Sequence, residues 1–92
     1  MSQPRPIWAA RRFVKTWGNL SQAHRAKVIE FLIAFPDLMD SPHGHSGFGF
    51  RRLQGTFFYE ARLDLRWRLV LRVSPEEIVL FDVMNHDQVR RL

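Results

Sequence analysis

Four histidines and twelve arginines are the side chains of this 92-residue sequence best suited to chemistry. An imidazole titrates near pH ~6.5, so it can donate or accept a proton at neutrality. A guanidinium is a permanent cation whose planar fork matches the oxygens of phosphate or carboxylate. The absence of cysteine removes thiolate nucleophiles, disulfides and thiolate metal sites, and fits a reducing compartment. No Walker loop, dinucleotide-binding glycine fingerprint or Gly-x-Ser-x-Gly elbow is present. His43 and His45 stand two apart in a glycine-rich loop, and His86 would be a third potential metal ligand. That third ligand is remote in sequence, and a zinc-type site needs three or four converging donors, so neither a metal nor a cofactor is expected. His24 reads as a polar-face residue of a helix.

The length fits one domain, residues 1–92. Net charge is +5, and arginine outnumbers lysine twelve to two. Arginine grips phosphate, which leans toward nucleic acid, but a GC-rich genome would produce the same bias. No apolar run approaches the ~20 residues of a membrane span. Met1-Ser2-Gln3-Pro4-Arg5-Pro6 lacks the apolar core of a secretory signal. A cytoplasmic protein without membrane contact is expected.

The elements that must position these groups follow from periodicity. Pro4–Ala9 reads as a short edge strand, where a missing amide donor is tolerated. A helix begins at Ala10, with Phe13, Val14 and Trp17 on one side, and Gly18-Asn19 stops it. Ser21 is the expected N-cap of a second helix. There Val28, Leu32 and Phe35, with Ile29 and Ile33, form a broad apolar stripe that Pro36 ends. The short connection predicts an antiparallel helix hairpin. Residues 42–49 read as a loop and everything beyond as strand: Phe50–Leu53, Phe57–Leu63, Trp67–Val73 and Ile78–Met84. Asn85 caps a last turn over Asp87–Leu92. The expected fold is α+β: a helix hairpin on a twisted antiparallel sheet of three to four strands, in the order βααβββ.

Strand parity gathers the polar groups. Trp67, Leu69, Leu71 and Val73 form a wholly apolar face that must meet the helices, which turns Arg68 and Arg72 outward. Glu60 and Arg62 oppose Tyr59, Ala61 and Leu63. With Asp82 and His86 from the last strand and its end, a six-residue polar cluster forms on the outer face. A solvated face with cross-strand ion pairs, Arg72 to Asp82 for example, would look the same and needs no function.

Leu53-Gln54-Gly55, Tyr59-Glu60-Ala61-Arg62-Leu63 and Trp67-Arg68-Leu69-Val70-Leu71-Arg72-Val73 resemble motifs of the RelE/ParE toxin superfamily. The close, Val83-Met84-Asn85-His86-Asp87-Gln88-Val89, is similar to that family's histidine-rich ending. Three positions depart from the pattern: Met84 replaces a glycine, Glu60 replaces the lysine of some members, and Arg90 stands where a tyrosine closes the motif. The resemblance implies a toxin of a type II toxin–antitoxin pair, partnered by a small antitoxin. Many members cleave messenger RNA on the ribosome; the ParE branch poisons gyrase.

The resemblance matches Arg68, Arg62 and His86 to the family's working groups; in the mechanism expected here His86 is the general acid, Arg68 holds the non-bridging phosphate oxygens, and Glu60, in the place of a lysine, is the base. Arg62, Arg51, Arg52 and Arg66 would bind flanking phosphates of the RNA, and no metal is required. A gyrase-directed toxin and a non-cleaving nucleic-acid-binding module remain open alternatives. So does a structural protein with an idle charged face.

Overall fold

The computed structural model describes residues 5–40 and 46–92. The loop histidines His43 and His45 lie outside the described residues. Chain order is β1 (Ile7–Ala9), α1 (Arg11–Trp17), α2 (Gln22–Asp40), a 3-10 turn (Ser46–Phe48), β2 (Arg51–Arg52), β3 (Phe58–Arg62), β4 (Trp67–Val73), β5 (Ile78–Asn85) and α3 (His86–Arg90). The architecture is α+β as expected, but the sheet has five strands, in the order β1-β5-β4-β3-β2. It is also mixed, because β1 runs parallel to β5 with Ile7 beside Ile78. The tripeptide adds at the edge, where the proline-bounded start needs only one hydrogen-bonded side.

β4 is the centre of the sheet and carries out the alternation of its sequence. Leu69 and Leu71 are fully buried on the helix-facing side, flanked by Trp67 and Val73. Against them α2 lays Val28, Phe31, Phe35 and Leu38. The Phe31 ring meets Phe35, Phe48 and Phe50, each at 5.5 Å between centroids. Burying an aromatic side chain of this kind contributes roughly 1.5–3 kcal/mol, a large share for so small a core.

Two expectations for α2 fail. Its buried stripe runs 28-31-35-38, so Ile29 and Ile33 are exposed, at 49% and 77%. An open apolar groove beside the stripe, between α1 and α2, contains Val14, Ile29 and Leu32. Pro36 also lies inside the helix, which continues to Asp40. A proline removes one amide donor and crowds the preceding turn. The full burial of Leu38 beyond it supplies an opposing gain. Ser21 does cap the helix, its Oγ accepting from the His24 amide at 3.1 Å.

A bulge in β5 changes the phase of that strand. Leu71 pairs with Leu80 while Val70 pairs with Asp82, leaving Phe81 as the extra residue. Ile78 and Leu80 face the helices, and after the bulge Val83 does so. Met84 therefore packs with Val70 and Val89 in a small cluster on the opposite face, joined by Leu53, Phe58 and Phe81.

Candidate nucleic-acid interface

The outer face of the sheet is positioned by two devices. The first is the β2–β3 hairpin, where Gly55 takes a φ of +78°, a conformation that side chains with a Cβ resist. Thr56 Oγ1 donates to the Leu53 carbonyl at 2.7 Å and fixes the turn. The register this sets places Arg51 opposite Glu60. The second device is the start of α3. Asn85 forms a capping box, accepting from the Gln88 amide at 2.9 Å while Gln88 Oε1 accepts from the Asn85 amide at 2.9 Å. That cap fixes His86 as the first residue of α3.

Glu60 is the buried charge of this face, only 5% exposed. Arg51 Nε donates to its Oε1 at 2.8 Å, and Arg68 Nε lies 4.0 Å from its Oε2. Each carboxylate oxygen thus faces a guanidinium, and protonating Glu60 would disrupt both pairs. That is a poor arrangement for the base assigned to it from the sequence and a good one for holding two arginines in place.

Arg68 is itself mostly enclosed, its side chain 13% exposed. Its Nη1 donates to the carbonyls of Asp64 at 2.8 Å and Trp67 at 3.3 Å. Among the described residues no polar side-chain atom is both buried and unpaired. Nη2 makes no hydrogen bond to the described residues.

His86 is exposed and lines a cleft of about 200 Å³ together with Glu60, Arg51, Gln54 and Arg90. Arg62 is exposed on the same face, paired in register with Arg68. Glu60, Arg62, Arg68, Arg51 and His86 thus share one side of the sheet.

Three residues do not join them. Arg52 donates to the Thr56 carbonyl at 2.9 Å and lies against Phe57. Arg66 covers the indole of Trp67, with 5.5 Å between its guanidinium and the ring centroid. Asp82, expected in the outer cluster beside Arg72, instead accepts from Arg12 Nε at 3.0 Å and Thr16 Oγ1 at 2.6 Å, both on α1.

Sequence reasoning also missed a contact in the turn that joins Arg62 to Arg68. His24 is not an idle polar-face residue: its Nε2 lies 2.6 Å from Asp64 Oδ2 and ties α2 to the β3–β4 hairpin. The imidazole hydrogen bond, with the Trp67 amide next, lowers the Asp64 pKa from 3.8 to about 2. Asp64-Leu65-Arg66 is turn chemistry, but nothing local in the sequence points from it to a helix forty residues earlier. Among the described residues, no three histidine, aspartate or glutamate side chains stand close enough to hold a metal ion. No described helix is long and apolar enough to cross a membrane.

No family model matches the chain, and no curated protein matches it in sequence. Solved structures do match. YafQ from E. coli strain BL21(DE3) superposes with a TM-score of 0.73 at 12% identity, covering 94% of this chain and 98% of that one. The archaeal RelE–RelB complex from Pyrococcus horikoshii OT3 gives a TM-score of 0.65 at 23% identity, covering 92% of this chain and 96% of its counterpart. The YoeB dimer from Staphylococcus aureus gives 0.67 at 17% identity, with 89% and 97% covered. At these identities the likeness is one of architecture, and it spans nearly the whole of each chain. The chain has the RelE-like fold of type II toxin–antitoxin toxins.

Proposed function

We propose that this protein is the toxin of a type II toxin–antitoxin pair and cleaves messenger RNA without a metal. The observation that carries the reading is the outer-face cleft. There Arg51, ion-paired to Glu60, lines the cleft with the exposed His86, while Arg68 lies 4.0 Å from the second Glu60 oxygen on the same face.

In this mechanism the RNA 2′-hydroxyl gives its proton to water and attacks the adjacent phosphate, so that a 2′,3′-cyclic phosphate forms as the bond to the 5′-oxygen breaks. The Arg68 Nη2 edge binds a non-bridging oxygen, where a fixed cation favours the more highly charged transition state. His86, unburied and aimed by the Asn85 cap, gives its proton to the leaving 5′-oxygen. Glu60 acts as a positioning residue. Arg62 and Arg51 hold flanking phosphates, and the work is done in the cytoplasm on ribosome-bound message.

The partner is a small antitoxin, in keeping with the RelE–RelB complex among the structural neighbours. Acidic side chains on it would lie across the arginine-rich face and neutralise part of its charge.

Controlled expression in a bacterial host tests the reading, with protein and DNA synthesis labelled separately. Protein synthesis should stop first, and His86→Ala or Arg68→Ala should restore growth while leaving the circular dichroism spectrum unchanged. Arrest of DNA synthesis ahead of protein synthesis would point to gyrase instead. Undiminished toxicity of both variants would remove the assignment.

A further inference from the structure

The outer face continues well beyond the cleft. Arg68, Val70 and Arg72 alternate along β4, so Arg72 stands ~13 Å from Arg68 at ~3.3 Å per residue. At that far end the surface becomes aromatic. The rings of Phe58 and Phe81 meet at 4.9 Å across β4, both only half-buried. The Arg12 guanidinium covers Phe81 at 4.2 Å, and that of Arg72 lies 5.9 Å from Phe58. Beside them opens a concavity of about 370 Å³, lined by Phe57, Arg72, Val73, Ser74, Glu77 and Val79. Phe57 is 71% exposed and carries the Arg52 guanidinium at 5.8 Å from its centroid.

One exposed and two half-buried phenylalanines interleaved with arginines suit one occupant above others. Unpaired bases stack on aromatic rings and guanidinium planes, and arginines track the phosphates between them. Glu77 in the wall repels phosphate but accepts hydrogen bonds from the donor groups of a base edge. The base is thus the part of a nucleotide that fits inside, with its phosphates toward Arg72 and Arg52.

We propose that Phe57 and Arg72, continued by Phe58, form a base-binding subsite for an unpaired nucleotide of the same RNA strand that is cut at His86 and Arg68. This rests on the ribonuclease reading and extends it.

Short 2′-O-methyl RNAs test this, because they cannot be cleaved by 2′-hydroxyl attack. A series would carry one abasic residue at successive positions, with binding followed by fluorescence anisotropy at low salt. The full-length protein should lose about tenfold in affinity at one abasic position, the size of one stacking contact. Phe57→Ala, at an exposed site, should weaken binding of the intact RNA by a similar factor and erase the positional effect. Arg72→Gln should weaken it further. If the unsubstituted protein binds RNA but no abasic position matters, or Phe57→Ala keeps the positional loss, the subsite is wrong and the ribonuclease reading stands. If the unsubstituted protein binds none of these RNAs, the subsite is overturned, and cleavage on programmed ribosomes decides the ribonuclease reading by itself.

Discussion

Arg51 and Glu60 face each other across the β2–β3 ladder, with Arg51 Nε donating to Glu60 Oε1 at 2.8 Å. The pair is asymmetric: the Glu60 side chain is 7% exposed and that of Arg51 68%. Water screens the arginine but not the carboxylate. Arg68, at 13% exposure, is the drier partner and makes the longer contact.

Glu60→Gln should therefore destabilise the fold by about 1–2 kcal/mol. That lies below the ~3–5 kcal/mol for breaking a fully buried pair, because Arg51 can return to solvent. Urea unfolding measures it. RNA cleavage should fall as well, through misplacement of Arg68, and Glu60→Asp should recover less than half of it. A variant with full stability and full activity would show that Glu60 positions nothing.

The α3 cap links stability to chemistry. Asn85→Ala removes the acceptor for the Gln88 amide and should cost about 1 kcal/mol. Because His86 is the first residue of the helix so capped, cleavage should fall more than the folded fraction does. Asn85→Asp, which also accepts, should restore both.

The Asp64–His24 contact predicts an acid limit. The Asp64 pKa is lowered from 3.8 to about 2, first by the His24 hydrogen bond and then by the Trp67 amide. A depressed carboxylate adds stability that is complete above its unfolded pKa and is lost as pH falls through the folded one. The melting temperature should therefore drop between about pH 4 and about pH 2, and Asp64→Asn should flatten that part of the curve. An unchanged slope in the variant would show that the contact carries no stability.

Salt should weaken RNA binding steeply. With Arg51, Arg62 and Arg68 each engaging a phosphate, the logarithm of affinity should fall about linearly with that of salt concentration. Arg62→Gln should make the slope shallower by roughly one phosphate contact. A salt-independent affinity would contradict an arginine-held backbone.

The sequence made the sheet side of this account legible because strand alternation is strict. The faces of β3 and β4 follow from Tyr59, Ala61, Leu69 and Leu71 alone, and they carry Glu60, Arg62 and Arg68 outward with them. What it could not show were departures from strict period. The extra residue at Phe81 put Met84 on the outer face, Arg12 and Thr16 of α1 claimed Asp82, and no local feature of Leu80-Phe81-Asp82 marks a bulge. In α2 the stripe was ambiguous because Val28, Ile29, Phe31, Leu32, Ile33 and Phe35 cover most of the circumference. Only the position of the sheet selects Phe31 over Ile33. Arg52 and Arg66 were assigned to phosphate by type, whereas their rotamers answer to nearby aromatic rings. The pairing of His24 with Asp64 is a tertiary event that no spacing encodes.

Cleavage of messenger RNA on programmed ribosomes, with EDTA present and the 3′ ends of the fragments identified, tests the central claim most directly. Fragments ending in 2′,3′-cyclic phosphate, lost with His86→Ala, are the predicted result. Intact message, or cleavage that His86→Ala leaves unchanged, would contradict it.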